Sequence, residues 1–387
     1  MRMRGKVWLT VSFCTATVAL LLAAPSQAAA QDSEREFIYT INFGVDVFPL
    51  QNVSGFSLDV DTGKTKAVPG SPFSSGIGPV SITSSSDGRF VYVVINSQFL
   101  GEACGFNNGE LFSYSVDSHT GSLEQVDDVI LSGICSTGVA IDSTGKFVYA
   151  ASFPINGPKV GIIDGFEAND GHLKPVPGTP FSSTIQVSPG QNPAIDELAI
   201  TPDGKFLYAS NPNDPRGVLI FDRDTKTGTL AFHKAVNTQA AFGALAITPS
   251  GMFLLAPGLI PSSQQPGMFE FAISEHGDLT AAKGSPFPLP PDSGNLAISP
   301  DGKLVAVLGK GISMLHETAE GKLSLVPGSP FGDVTALDIT FDPSGAFVLV
   351  PGTVFKVHAS TGALTQVSEF AAGGQDGITV VRTGTAH

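Results

Sequence analysis

The chemically most suggestive part of the chain is a polar group in the stretch "NPAIDELAITPDGKFLYASNPNDPRGVLIFD", residues 192–222. Asp196 and Glu197 stand before one apolar segment, and Asp214 and Arg216 follow the next. An arginine beside carboxylates can hold an anionic ligand or polarise a carbonyl group, because it stabilises negative charge on oxygen. Lys159 occupies the corresponding place one unit earlier and could join this group. The alternative interpretation is a set of solvated loop charges with one ordinary salt bridge.

Other kinds of site find little support in the sequence. "DVDTG" (59–63) and "DRDTKTG" (222–228) are acidic, but a calcium loop of the helix-loop-helix kind needs a further oxygen ligand and a glutamate at its twelfth position. We interpret both stretches as hairpin turns. No His/Cys metal spacing is visible, and no GxSxG nucleophile turn lies between a strand and a helix. The sequence therefore predicts neither a metal nor a cofactor.

The charge of the chain disfavours nucleic acid as a partner. The 387 residues carry a formal net charge of −14, and the 21 Lys and Arg residues form no cluster. A phosphate-binding surface needs such a cluster. We therefore expect no nucleic-acid binding.

The elements that must position the polar group belong to a repeat. A short apolar strand such as "ELAITP" (197–202) or "NLAISP" (295–300) is followed by a tight turn such as "PDGK" and by a second apolar strand such as "FLYA" (206–209). The Asp-Gly and Ser-Gly pairs of these turns supply the positive φ of a tight hairpin. A third strand alternates in polarity, ends in a second hairpin such as "KTG", and precedes a more polar fourth strand.

A phrase of the type "LVPGSPF" (325–331) recurs at 67–73 and 175–181, and as "AKGSPF" at 282–287. Pro-Gly suits the middle of a type II turn, and Ser-Pro continues in extended form. We interpret the phrase as a structural connector that closes the fourth strand, with its phenylalanine filling an apolar gap before the next unit.

The second strand of the repeat occurs seven times, at spacings of 43 to 59 residues, which is typical of four-stranded propeller blades. "GITVVR" (377–382) has no partner after it, and "FIYTIN" (37–42) has no inner strand before it. Joining them completes a seventh blade and leaves no open edge. The sequence thus predicts an all-β, seven-bladed propeller of four-stranded antiparallel blades, closed by its N- and C-terminal strands.

This fold predicts where the candidate residues lie. Segments before inner strands and loops after second strands share one face of a propeller, so the polar group should converge near the mouth of the central channel. The histidines are expected in outer hairpins, in third and fourth strands or at the terminus, where they cannot reach a common point: 119, 172, 233, 276, 316, 358 and 387.

The combination of "PDGKFLYASN" with "VPGSPF" resembles the lactonase-type seven-bladed propellers, the family of 6-phosphogluconolactonase and the muconate cyclases, and the related YVTN-repeat propellers. In that family a Pro-His pair enters an inner strand and an Asp-Arg pair follows the next strand. Here Pro193 is present but Ala194 replaces the histidine, and Pro215 separates Asp214 from Arg216. The resemblance implies a lactonase fold, with catalytic roles for Arg216 and Asp214. From their expected place at the channel mouth we add Glu197 as a catalytic candidate and Asp196 and Lys159 as ligand-binding candidates.

Residues 1–30 have the sequence features of a signal peptide. Arg2, Arg4 and Lys6 precede an apolar run over 7–24, and "PSQAAA" offers small residues for cleavage. We expect residues 1–30 to be removed, residues 31–387 to form one propeller domain, and the mature protein to be an exported monomer, periplasmic or secreted, without a membrane span.

Two cysteines remain after that cleavage, Cys104 and Cys135. An even number of cysteines in an exported chain favours a disulfide, with two buried thiols as the alternative. The loops that carry them should emerge on the same face of neighbouring blades.

Two functions stay open on this evidence. The first, favoured by the missing histidine, is a binding or scaffold propeller that takes a small-molecule or protein ligand at the channel mouth. The second is a hydrolase of a small anionic lactone. A cluster of carboxyl groups with perturbed pKa values at the mouth would favour the enzyme.

Overall fold

The computed structural model describes residues 34–42, 52–96, 108–152, 161–183, 195–212 and 215–384. This part of the chain contains 31 β-strands and no helix. Accordingly, none of the described residues belongs to a helix with the length and apolar character needed to span a membrane. The signal-peptide prediction concerns residues outside the described part.

The strands form seven antiparallel sheets, each with four strands in succession, and the inner strands follow one another around a ring. The chain is a seven-bladed β-propeller, as predicted. Blade 1 contains β5 (Pro79–Ser84), β6 (Phe90–Ile95), β7 (Glu110–Val116) and β8 (Leu123–Ile130). Blade 2 contains β9 (Val139–Ile141), β10 (Phe147–Ser152), β11 (Ile162–Asn169), β12 (His172–Pro175) and β13 (Phe181–Ser182). Blade 3 contains β14 (Leu198–Ile200), β15 (Phe206–Ser210), β16 (Val218–Arg223) and β17 (Leu230–Val236).

The remaining blades repeat this order. Blade 4 contains β18 (Ala246–Ile247), β19 (Phe253–Leu259), β20 (Pro266–Ile273), β21 (Leu279–Ala281) and β22 (Phe287–Pro288). Blade 5 contains β23 (Leu296–Ile298), β24 (Leu304–Leu308), β25 (Ile312–Glu317) and β26 (Leu323–Leu325). Blade 6 contains β27 (Thr340–Phe341), β28 (Phe347–Val350), β29 (Thr353–Val357) and β30 (Leu364–Glu369). Blade 7 contains β31 (Gly377–Thr383), β1 (Arg35–Asn42), β2 (Asn52–Leu58), β3 (Thr65–Ala67) and β4 (Phe73–Ser74).

The apolar core lies between the blades. Every residue of the second strands β6 and β10 is buried, because both faces of these strands pack against neighbouring sheets. Seven apolar clusters result, each joining two adjacent blades. In an outer strand such as β8, by contrast, every residue is half-buried or exposed. This gradient explains why the sequence reads as apolar near the axis and more polar at the rim.

Ring closure follows the prediction. β1 pairs with β31 on one side and with β2 on the other, with Ile38 opposite Val380. Arg382 adds an ion pair of 2.7 Å to the buried carboxyl of Glu36. The two ends of the described chain therefore complete one blade.

The recurring phrase has a different role from the predicted connector. Gly70 has φ 83° within a turn closed by the Ser71 N–H, which donates to the Val68 carbonyl at 3.2 Å, as expected for type II geometry. However, β3 and β4 on either side of this turn both pair with β2. The phrase thus interrupts the outer strand and returns it to the same blade.

The recurring phrase has serine or threonine after its glycine because the side-chain hydroxyl group accepts a hydrogen bond. In β2 the backbone N–H of Gly55 faces the turn and donates to Ser71 Oγ at 2.9 Å. The same bond recurs in blades 2, 4 and 5, at Thr179, Ser285 and Ser329. The hydroxyl replaces the strand partner that the interruption removes.

Candidate functional site

A cavity of about 630 Å³ occupies the channel at the axis of the ring. Residues from all seven blades line it, and in the described part of the chain none of them is Arg, Lys, His or Cys. Its acidic members are Asp196, Glu197, Asp338 and Asp376. The described part of the wall therefore supplies carboxyl groups and hydrogen bonds, but no positive charge.

One repeated position contributes four residues to the polar wall. In blades 1 to 6 the residue seven places before the glycine of the first hairpin lies within two residues of the start of the inner strand, as Glu197 does before β14 and Gly204. The equivalents that line the cavity in blades 1, 5 and 6 are Ser81, Asn295 and Asp338. These residues form one layer around the axis, since their strands are related by the propeller repeat.

Glu197 is held by its own blade. Its backbone N–H donates to Ser210 Oγ at 2.8 Å, and its carbonyl accepts the Ser210 N–H at 2.9 Å. Asp196 precedes it, and its N–H donates to the Ser210 carbonyl at 3.3 Å. Successive strand residues alternate in direction, yet both side chains line the cavity because the chain enters β14 only at Leu198.

Asp338 is anchored by three blades. Its Oδ1 accepts the Asn295 side-chain amide of blade 5 at 3.1 Å and the Ile339 N–H at 2.8 Å. Its Oδ2 accepts the Ile378 N–H of blade 7 at 2.9 Å. These bonds point the carboxyl group toward a defined place in the channel.

The carboxyl groups are strongly perturbed by their surroundings. Burial raises the pKa of Asp196 to about 6. Burial, the charge of Asp338 and then the charge of Asp196 raise the pKa of Glu197 to about 8. Burial also raises the pKa of Asp338 to about 6, against the effect of its hydrogen bonds. Near neutral pH, Glu197 therefore retains its proton while Asp196 is ionised.

The structure brings together only part of the predicted polar group. Asp196 and Glu197 line the cavity. Arg216 lies just before β16, bridges to Ala240, and is not among the lining residues. Asp214, Lys159, Pro193 and Ala194 lie outside the described residues, so their predicted roles stay predictions.

The remaining candidates are the histidines, the two cysteines and possible metal ligands. The six histidines within the described ranges lie in outer hairpins or in third and fourth strands, away from the cavity wall. Cys135 is buried, whereas Cys104 lies outside the described residues. The described residues contain no group of three His, Cys, Asp or Glu side chains that could hold a metal ion.

Sequence reasoning missed Asp338 and Asn295. In the sixth unit the segment "ALDITF" (336–341) has the pattern of an inner strand, and this pattern predicts that Asp338 lies inside the strand. The structure begins that strand at Thr340, and Asp338 lies seven residues before Gly345, as Glu197 lies before Gly204. Alignment on the hairpin glycine would have revealed the shared position.

Comparison with known proteins agrees with this fold. The sequence profile of the family described as "Lactonase, 7-bladed beta-propeller" matches residues 48–176 and 162–259, more than half of the chain. The chain belongs to this lactonase family. No curated protein matches the sequence.

Three solved structures illustrate the likeness of this family member to other propellers. A candidate 6-phosphogluconolactonase from Bacteroides uniformis is 20% identical, with a TM-score of 0.71, over 90% of this chain and 99% of that one. The periplasmic gluconolactonase of Pseudomonas aeruginosa is 20% identical, with a TM-score of 0.69 and the same coverage. A second candidate 6-phosphogluconolactonase, from Bacteroides fragilis, is 19% identical, with a TM-score of 0.68, over 91% and 99%. At this identity the likeness concerns the fold.

Proposed function

We propose that the protein hydrolyses a small, electrically neutral lactone in its central channel, with Asp196 as general base and Glu197 as general acid. The observation that carries the proposal is the separation of two neighbouring carboxyl pKa values, to about 6 and about 8. Such a separation gives one group the form of a base and the other the form of an acid at the same pH. The absence of the family's histidine at position 194 then no longer excludes proton transfer.

The charge of the wall distinguishes between substrates. Acidic residues line the described part of the cavity, and no cation accompanies them there. An anionic lactone would meet like charge in a poorly hydrated space, which is unfavourable. We therefore modify the sequence-based hypothesis of an anionic substrate and favour a neutral sugar-type lactone.

The proposed hydrolysis conserves protons and bonds at each step. The Asp196 carboxylate accepts a proton from water while the water oxygen bonds to the lactone carbonyl carbon. The tetrahedral intermediate then collapses, the ring C–O bond breaks, and Glu197 donates its proton to the leaving ring oxygen. The product is a hydroxy acid, and transfer of the proton from Asp196 back to Glu197 restores both groups. In this scheme Asp338 touches no reacting atom and acts by keeping Glu197 protonated.

A lactone panel tests the proposal. Purified mature protein should hydrolyse neutral lactones such as D-glucono-δ-lactone faster than their phosphorylated forms, after subtraction of the spontaneous rate. Activity should rise with pH through about 6, as Asp196 ionises, and fall through about 8, as Glu197 loses its proton. These apparent values belong to the coupled group of carboxyls.

Glu197→Gln removes the acid while keeping the shape of the side chain. We expect kcat to fall by about 100-fold or more. Glu124→Gln, on the exposed face of β8, is the matched control and should retain activity. Equal activity of Glu197→Gln and the wild type would contradict the mechanism.

The binding or scaffold function is the second candidate, supported by Ala194 in place of the family's histidine. It predicts that calorimetry detects binding of a neutral sugar or lactone without any turnover. The same calorimetric test applies to substitutions of Arg216, Asp214 and Lys159. If Arg216→Ala leaves the affinity for the ligand unchanged, and also the kcat and KM of any turnover, Arg216 takes no part in the site.

Export and the disulfide are further proposals. The signal-like residues 1–30 support export, as does the likeness to a periplasmic gluconolactonase. We propose that Cys104 and Cys135 are joined in the mature monomer, which would close a loop of about 30 residues and stabilise the fold by about 3–4 kcal/mol. Mass spectrometry of non-reduced peptides should find the linked pair. Alkylation of both cysteines without reductant would contradict it.

A further inference from the structure

A second pair of buried acids lies away from the channel, between blades 4 and 5. Glu270 belongs to β20 and is 3% exposed, and Glu317 ends β25 and is 8% exposed. Neither residue lines the cavity. The proposed reaction gives them no role.

The pair lacks compensation for its charge. Glu270 Oε1 and Glu317 Oε2 are buried without a hydrogen-bond partner. The Glu270 carboxyl packs against Gly321 in the outer hairpin of blade 5, where an added Cβ would lie 2.3 Å from Oε1. An ionised carboxylate in such a place is costly, and a protonated one is not.

Among the described residues, no cation lowers the pKa of either carboxyl group. The segments around the pair carry Lys283, Lys303, Glu320 and Lys322. Burial raises the pKa of Glu270 to about 7, and no charged group contributes to that shift. Burial and then the charge of Glu270 raise the pKa of Glu317 to about 7.

The corresponding seam between blades 2 and 3 shows what is unusual here. Arg223 occupies the position of Glu317, since its N–H donates to the Lys205 carbonyl as that of Glu317 donates to the Lys303 carbonyl. Arg223 forms a buried ion pair with Asp142 at 2.7 Å and donates to Tyr149 Oη at 2.7 Å. The seam between blades 4 and 5 has two acids in place of an ion pair.

The position of Glu270 is also unusual among the blades. Its carbonyl accepts the N–H of Ala282 in the outer strand, as the carbonyls of Gly55, Gly165 and Met314 accept the corresponding N–H groups. These three equivalents carry no charge. Ordinary packing of a blade therefore does not require a carboxyl group at this place.

We propose that Glu270 and Glu317 form a proton-dependent latch between blades 4 and 5. While the pair holds its protons, the carboxyl groups carry no charge and the two blades stay closely joined. When both groups ionise, two unpaired like charges face each other in the seam and weaken it. The seam then opens more readily.

The sign of the pH effect follows from the raised pKa values. The folded state binds these protons more tightly than the unfolded chain, in which glutamate titrates near 4.5. The stabilisation is thus fully present below about pH 4.5 and is lost as the pH rises through about 7. The channel carboxyls contribute with the same sign, so the latch must be measured as a difference between variants.

Thermal unfolding of the mature protein and of Glu270→Gln/Glu317→Gln, between pH 5.5 and 8.5, makes this measurement. The amides remain neutral at every pH. We expect the Tm of the wild type to fall by about 3–6 °C more than that of the double variant over this range. An exposed pair, Glu124→Gln/Glu275→Gln, is the control and should retain the pH dependence of the wild type.

Parallel Tm curves for the wild type and the double variant would overturn the latch. If the double variant does not fold, the carboxyl ¹³C signals of glutamate-labelled wild-type protein decide the matter. Two glutamates besides Glu197 should titrate near pH 7. Titration of both below pH 5.5 would overturn the proposal independently of any lactone hydrolysis.

Discussion

At the scale of single residues, the chemistry of the channel depends on the residue seven places before each hairpin glycine. Blade 3 has Glu197 there, blade 5 has Asn295 and blade 6 has Asp338, whereas blades 2 and 4 have Gly138 and Ala244. The propeller repeat brings these side chains toward one axis. Together with Ser81 of blade 1 and the adjacent Asp196, these three polar side chains form a site without any local catalytic motif.

The first prediction concerns the charge of Asp338. Asp338→Asn keeps a side chain of the same shape but removes a negative charge that raises the pKa of Glu197. The alkaline limb of the pH–activity profile should move toward acid by about one unit, with little change in kcat near pH 6.5. The exposed Asp333→Asn is the control and should leave the profile in place.

An unchanged alkaline limb in Asp338→Asn would show that Asp338 does not control the acid. The glutamate ¹³C titration provides the same comparison if the protein only binds its ligand. A merely structural role of Asp338 would lower the Tm without moving the Glu197 pKa.

At the scale of elements, adjacent blades are joined through the second hairpin. The Gly228 carbonyl of blade 3 accepts the Tyr149 hydroxyl of blade 2 at 2.7 Å. Gly121 and Gly277 make the same contact with Tyr39 and Tyr208. Each of these glycines also packs against a phenylalanine at or near the start of the neighbouring second strand. The repeated "FVYA"-type strand and the "TG"-type turn are therefore two halves of one contact.

The second prediction tests this contact with three glycine-to-alanine changes. Gly228 has φ 72° and no room for a Cβ, which would lie 2.3 Å from the Phe147 ring. Gly284 has φ 96° but open space, and Gly294 has neither restriction. Gly228→Ala should lower the free energy of unfolding by about 2–4 kcal/mol, Gly284→Ala by about 1 kcal/mol, and Gly294→Ala by less than about 0.5 kcal/mol. Chemical denaturation measures all three.

An equal effect of Gly228→Ala and Gly284→Ala would mean that only the backbone conformation matters at the hairpin. The close approach of the blades would then contribute nothing. Because both positions have a positive φ, the difference between the two losses in unfolding free energy measures the effect of the close contact between blades.

At the scale of the whole molecule, stability depends on closing the ring. β1 is almost entirely buried and is the only strand in the described part that pairs with both β2 and β31. Without it, the inner strand β31 would present an open edge and an apolar face to water. The cost is therefore expected to exceed that of any single side-chain change.

The third prediction is that deletion of residues 31–43 from the mature protein strongly reduces stability. A chain that begins at Glu34 retains β1 and serves as the control. We expect the deletion variant to melt at least about 10 °C lower, or to lose cooperative unfolding, because a whole strand and its packing are removed. Calorimetry of both chains makes the comparison. Equal melting of the two chains would contradict closure by the terminal strands.

The sequence by itself determined the number of blades, the order of strands within each blade and the way the ring closes. These features follow from local chemistry that recurs: turn glycines with positive φ, apolar strands of short length, and aromatic residues at fixed distances from both. The unpaired "FIYTIN" and "GITVVR" segments at opposite ends of the chain then allowed one solution. The sequence also predicts that Asp196 and Glu197 lie at the channel mouth, because they stand directly before an inner strand, and both residues line the cavity.

Only the tertiary structure showed which residues meet across the channel and across the seams. Glu197 and Asp338 are 141 positions apart in the chain, and a two-residue difference in alignment conceals their equivalence. Glu270 and Glu317 look like ordinary polar residues of alternating third strands. Burial raises the pKa of both residues, and the charge of Glu270 raises that of Glu317 further; both effects depend on how neighbouring blades pack around the axis. Local sequence encodes a blade, whereas the chemistry of this protein is decided between blades.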